Sequence, residues 1–189
     1  TFTSPSGNVF ISGDVESTDL PTTDGAYKTQ FNGPGSIFFI SKFDANLSNL
    51  LASTYFEGFT PARTTDNSGN VYVAGMAMSS DFPTTPDAYD TTFNGGVSNG
   101  GVLIDTICSP GWCDAVVSKL DTDLTTLLAS TVIGGGGNEV ALDIALGSSG
   151  DVYIAGLTTS IDFPMVNAAD SSHNGSEDVF VARLDKDLS

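Results

Sequence analysis

The sequence predicts an all-β chain built from a repeated four-stranded sheet. Three observations carry that expectation. A Gly-Asn strand motif occurs three times with the same companions in the same order. Turn formers are abundant, 21 Gly and 8 Pro, whereas only 15% of residues are charged, which suits many short strands joined by tight turns. No segment carries a convincing amphipathic helix period.

The repeat is explicit. Ser6-Gly7-Asn8-Val9-Phe10-Ile11-Ser12-Gly13 returns as Ser68 to Gly75 (SGNVYVAG) and as Ser149 to Gly156 (SGDVYIAG). Each copy is followed by an Asp-Leu/Phe-Pro element, at Asp19-Leu20-Pro21, Asp81-Phe82-Pro83 and Asp162-Phe163-Pro164. Next comes an apolar strand ending basic-apolar-Asp: Ile37 to Asp44, Asp114 to Asp121 and Asp178 to Asp185. Leu50 to Thr54 (LLAST) then recurs as Leu127 to Thr131, and the sequence ends at Ser189 before a third copy. The spacings of the Gly-Asn motif, 62 and 81 residues, differ chiefly because the second repeat carries 15 extra residues within 94–112. That insertion is Gly-rich, holds both cysteines and reads as a surface loop. The repeats divide the chain into units 1–63, 64–143 and 144–189, the last incomplete.

Each unit supplies four strand candidates: one before the Gly-Asn turn, clearest at Val140 to Leu146, then the three named above. Val71 and Tyr72 point to opposite faces by the strand period of two, and both are apolar. A sheet with two apolar faces needs a neighbour on each, so the units are expected to stack as β-propeller-type blades. The chain holds just under three such blades, whereas closed propellers have about four to eight. It is therefore expected to be a partial or open propeller, or one completed by other chains. The segment 57–66 lacks the Gly-Gly-x-x-acid turn present at Gly136 to Glu139, so an irregular strand or open edge is expected there.

At these residues the sequence resembles the SBBP family, the bacterial β-propeller repeat. Gly69 to Gly75, Asp81 to Thr85, Asp178 to Asp185 and Ser53-Thr54-Tyr55 carry the likeness. The resemblance implies a place in large exported or cell-surface proteins and supplies no catalytic residues.

Charge narrows the partners. The chain has 6 Lys and Arg against 23 Asp and Glu, a net charge of −17, with no basic run. Binding nucleic acid or anionic membranes normally needs a cationic patch, so neither is expected. The longest apolar runs, such as Ile37 to Ile40, are far short of the ~20 residues of a membrane helix. A start at Thr1 without Met suggests a mature product or a fragment. Cys108 and Cys113, spaced C-S-P-G-W-C, favour a local disulfide over free thiols or zinc, since no second Cys pair exists and the single histidine, His173, is distant.

Candidate sites are few. Asp44 with Asn46, Asp121 with Asp123, and Asp185 with Asp187 place oxygen ligands at alternate positions, as calcium loops do, making calcium the one cofactor this pattern allows. The same residues are also good turn formers that bond their own backbone. Trp112 suits stacking on a sugar ring, or simply covers the cysteine pair. Asn46 and Asn174 begin N-glycosylation sequons. No nucleophile and base pattern accompanies His173, and acidic pairs are too plentiful to single out a glycosidase site. The expectation is a non-catalytic structural or adhesive protein, extracellular or on a cell surface, self-associating or part of a longer chain or filament. The alternatives are a glycan- or protein-binding module and, behind it, a carbohydrate-active enzyme.

Overall fold

A computed structural model describes residues 1–31, 37–96, 102–108 and 111–189. Part of the inserted loop, 97–101 and 109–110, lies outside the described residues, as does 32–36. The chain is all-β with one short helix. Sheet 1 holds β1 (Phe2–Thr3), β2 (Val9–Val15), β3 (Ile37–Phe43) and β4 (Leu50–Phe56). Sheet 2 holds β5 (Phe59–Thr65), β6 (Val71–Ala77), β7 (Asp114–Leu120) and β8 (Leu127–Ile133), with α1 (Val102–Ile107) between β6 and β7. Sheet 3 holds β9 (Glu139–Leu146), β10 (Val152–Thr158) and β11 (Asp178–Leu184). In each sheet neighbouring strands follow chain order and pair antiparallel. The boundaries drawn at 63/64 and 143/144 pass through β5 and β9, because the sheets change at 57–58 and 134–138. Among the described residues no sheet closes on itself, and no helix is long and apolar enough to cross a membrane.

The three Gly-Asn copies occupy one place in the fold. Gly7, Gly69 and Gly150 all have positive φ (84°, 85°, 90°), which glycine adopts without a Cβ clash, and each donates its N–H to the carbonyl three residues back. They close the turn into the second strand of their sheets. Val71 pairs with Leu120 and Val152 with Leu184, as Val9 does with Phe43, so the register is also shared. Buried serine pairs repeat too: Ser41 with Ser53 and Ser118 with Ser130, each hydroxyl pair at 2.7 Å. In sheet 3 Ala182 takes the corresponding place.

The segment 57–66, expected to be an irregular strand or an open edge, forms the edge strand β5, with a register shift between Phe59 and Ala62. Pro61 sits within that shift, at a sheet edge where its missing N–H breaks no ladder. β9 shifts register at the matching point, opposite Ala155 and Gly156. The shift drives a first-strand carbonyl against the second strand. A β-carbon on Gly75 would stand 1.9 Å from the Phe59 oxygen, and one on Gly156 2.1 Å from the Val140 oxygen.

The sheets stack face on face. Phe38, Ile40, Ala52 and Phe56 of sheet 1 pack with Val71, Val73, Val116, Leu120 and Val132 of sheet 2. The opposite face of sheet 2, with Tyr72, Ala74, Ala115, Val117 and Ile133, packs on Ile144, Val152, Ile154, Phe180 and Leu184 of sheet 3. The alternation of β6 and β7 therefore feeds two cores at once. Helix α1 was not expected: the insertion reads as a loop, and six residues are too short for a visible period. Ile104 anchors it in a third cluster with Met76, Cys108, Cys113 and Val140, while the Glu177 carboxylate accepts the N–H groups of Leu103 and Ile104.

Replacing Gly75 or Gly156 by alanine is expected to cost about 1–3 kcal/mol in urea unfolding, as overpacking against backbone does. Gly13→Ala is the control, because there the nearest atom is a Phe39 ring carbon at 3.7 Å.

Candidate functional site

The most repeated side-chain geometry lies where sheets meet. The turn between the third and fourth strands runs Asp-x-Asn/Asp-Leu. In all three copies the leucine is left-handed: Leu47, Leu124 and Leu188 have φ of 56°, 57° and 61°. That conformation costs a non-glycine residue roughly 1–2 kcal/mol, and burial offsets it at two of the three. Leu124 and Leu188 are wholly buried, whereas Leu47 is 57% exposed. The Leu124 carbonyl accepts the N–H of Tyr27 from sheet 1 (2.8 Å), and the Leu188 carbonyl that of Tyr89 from sheet 2 (2.9 Å).

The tyrosines end straps that follow each Asp-Leu/Phe-Pro element. Thr23 and Thr85 donate to the carbonyls of Ser53 and Ser130, and Lys28 and Asp90 accept from the N–H groups of Tyr55 and Val132. The straps so cover the outer edges of β4 and β8, groups that would otherwise invite strand addition. Phe82 and Phe163 are buried beside them as plugs. A cation completes each joint: Lys42 Nζ donates to the Thr122 carbonyl (2.8 Å), and Lys119 Nζ to the Lys186 carbonyl (3.4 Å).

The proposed calcium ligands lie in these same turns. The Asp44 carboxylate accepts the N–H and hydroxyl of Ser48 and the side-chain amide of Asn49, which hold its pKa down to about 2. Asp121 is bonded likewise by Thr125 and Thr126, and Asp185 by Asp187 and Ser189. Asp123 lies 3.7 Å from Lys42, Asp187 pairs with Lys186, and Asn46 is exposed. Among the described residues no three His, Cys, Asp or Glu side chains gather where they could hold one metal ion.

An acidic pair at the joint between sheets 2 and 3 was not foreseen. Asp114 and Glu139 are both fully buried. Asp114 Oδ1 and Glu139 Oε2 each stand 2.7 Å from where a β-carbon on Gly134 would be. Glu139 is well supplied with donors: Thr158 and Ser160 hydroxyls at 2.6 Å and the Gly135 N–H at 3.0 Å. Asp114 Oδ2 accepts the Asn94 N–H at 2.6 Å, but Oδ1 has no hydrogen-bond partner among the described residues. Burial, assisted by the neighbouring Glu139 charge, pushes Asp114 up to about 7, and burial also raises Glu139. Protonation of Asp114 removes the charge that burial disfavours. At the joint between sheets 1 and 2 the register puts Ile37 and Gly58 in these two places. There an apolar cleft of about 810 Å³ opens instead, lined by Phe38, Phe59, Met76, Met78 and Phe82, with Glu57 among its few acids.

The remaining candidates are separate from one another. Cys108 and Cys113 stand at disulfide distance, Cα–Cα 5.8 Å, both buried. Trp112 beside them is 64% exposed, so it does not serve as their cover. Asn46 and Asn174 are exposed, and the Asn174 amide donates to the Ser172 hydroxyl. No protein-family model matches the chain, and no curated protein matches it either.

Four outcomes follow from this geometry. Leu124→Asn is expected to lose about 3 kcal/mol in chemical unfolding, because a buried apolar plug is removed. Leu47→Asn should be neutral or slightly stabilising, since asparagine tolerates the left-handed backbone and Leu47 is exposed. Asp114 has a higher pKa folded than unfolded, so its stabilising contribution is whole below about pH 4 and is lost as pH rises through about 7. Unfolding free energy should therefore fall across that window, and Asp114→Asn should flatten the slope. Finally, a chelator should leave the melting temperature unchanged; a drop of several degrees would assign the turn carboxylates to calcium.

Proposed function

We propose that the chain is a non-catalytic structural or adhesive repeat protein of the extracellular space or cell surface, made of propeller-type blades and acting within a larger assembly. The observation that carries this reading is that its two internal joints share one set of contacts, the Lys42 and Lys119 bonds and the Tyr27 and Tyr89 straps. Asp114 and Glu139 have perturbed pKa values, as catalytic acids do, yet both are closed off from any polysaccharide. The acidic surface suits solubility outside the cell, and the cysteine pair suits an oxidising compartment. The resemblance to SBBP repeats points the same way. Antibodies against the chain are expected to label intact, unpermeabilised cells of its source organism. Labelling only after permeabilisation, or polysaccharide cleavage abolished by one Asp or Glu substitution, would sink the proposal.

A second reading is favoured by one feature. Trp112 is a large exposed aromatic on a disulfide-spaced loop, the arrangement a sugar-stacking platform needs. If the chain is a glycan-binding module, glycan-array binding should fall at least tenfold in Trp112→Ala while the melting temperature holds.

A further inference from the structure

The apolar cleft between sheets 1 and 2 lies at a place that the next joint fills. Between sheets 2 and 3 the buried Asp114 and Glu139 side chains occupy it. With Ile37 and Gly58 there instead, about 810 Å³ stays open. Sites that hold small molecules span ~300–1,000 Å³.

The walls are set by packing within the protein. Gly58 has a positive φ (82°) and runs so close to its neighbours that a β-carbon would stand 2.8 Å from the Met76 carbonyl and 3.1 Å from the Phe82 ring. Phe82 is buried and edge-on to Phe56, ring centroids 6.3 Å apart. Met76 is buried as well, with Cys108 Sγ 3.6 Å from its sulfur. Aromatic and thioether walls suit an apolar, above all an aromatic, body. Met78, 51% exposed, stands at the mouth.

Charge narrows the occupant further. Asp14, Glu57 and Asp81 line the cleft, and no Lys, Arg or His lines it among the described residues. Glu57 is paired with Lys28, which stands outside the lining. Asp14 and Asp81 are exposed and form no ion pair among the described residues. Low-dielectric walls focus such a field, so an anion is repelled and a cation drawn in. Aromatic faces favour a cation too. A peptide laid along the β5 edge is disfavoured, because Pro61 at the cleft has no N–H to offer an added strand.

We propose that this cleft binds a small amphipathic cation, its aromatic body seated between Phe38, Phe59, Met76 and Phe82 and its protonated amine at the mouth among Asp14, Glu57 and Asp81. The inference goes beyond the structural reading above and does not rest on it.

Calorimetric titration of the whole chain tests it with three indoles of similar size. Tryptamine is a cation at neutral pH, tryptophol is the neutral alcohol and indoleacetate the anion. Tryptamine should bind saturably, roughly tenfold more tightly than tryptophol, and indoleacetate should bind least. Asp14→Asn combined with Asp81→Asn should bring tryptamine down to the affinity of tryptophol and leave tryptophol unchanged. Met78→Arg sets a cation at the mouth and should abolish tryptamine binding; being at an exposed position, it should keep the wild-type melting temperature. Equal affinity for the three indoles overturns the inference, as does a chain that binds none of them. Tryptamine binding that survives Met78→Arg overturns it too, by placing the amine on the acidic surface at large. Each of these results leaves the labelling of intact cells untouched.

Discussion

A β-sheet whose two faces are both apolar cannot be stable in water by itself, and the rest of this structure follows from that constraint. Sheet 2 meets it from both sides, with Val71, Val73 and Val116 toward sheet 1 and Tyr72, Ala115 and Val117 toward sheet 3. Burying such side chains contributes about 25 cal/mol per Å² of apolar surface removed from water. Polar groups fix the register. Lys42 and Lys119 reach carbonyls 80 and 67 residues further along the chain, and the straps lay backbone donors on the left-handed leucines. Burial supplies the drive, and these directional bonds select one placement among many.

Joint chemistry varies where the packing leaves room. Between sheets 2 and 3 the Gly134 to Gly137 run lets Asp114, Glu139 and the hydroxyls of Thr158 and Ser160 come together. Between sheets 1 and 2 the corresponding Ile37 and Gly58 leave an apolar cleft. The first is a dense polar plug whose energy depends on protonation. The second is an apolar cleft with Glu57 at its lining, where one oxygen is buried without a hydrogen-bond partner among the described residues. The same scaffold thus accepts either solution, because each junction is set by a few residues at the strand ends.

Much of this organisation was legible in the sequence. The Gly-Asn turns, the period-two apolar strands and the linked companions locate nine of the eleven strands, because turn chemistry and alternation are local properties. Less local features were hidden. The missing Gly-Gly turn announced an irregular strand or an open edge at 57–66, but not how β5 combines an edge position with a register shift that accommodates Pro61. Helix α1 owes its existence to Ile104 finding a pocket, not to its own six residues. The Asp114 and Glu139 pair spans 25 positions and joins two sheets, so no spacing announces it. The lead aspartates of the three turns allowed two chemistries on paper, and their hydrogen bonds are those of a turn. Left-handed leucines run against intrinsic preference; the neighbouring sheet accounts for Leu124 and Leu188, while Leu47 adopts the same turn exposed.

The straps carry a consequence for how such a chain can change over generations. Each unit reads only the unit before and the unit after it, through a plug, a cation and a strap that sit at constant offsets. Duplicating or deleting the DNA for one whole unit, with crossover inside a Gly-Asn turn, would leave every surviving junction with the partners it had. The length of the stack is then an evolutionary variable almost uncoupled from the stability of any one sheet. The second unit's insertion between Asn94 and Trp112 shows that ornament can be added to one unit while the offsets on either side remain intact.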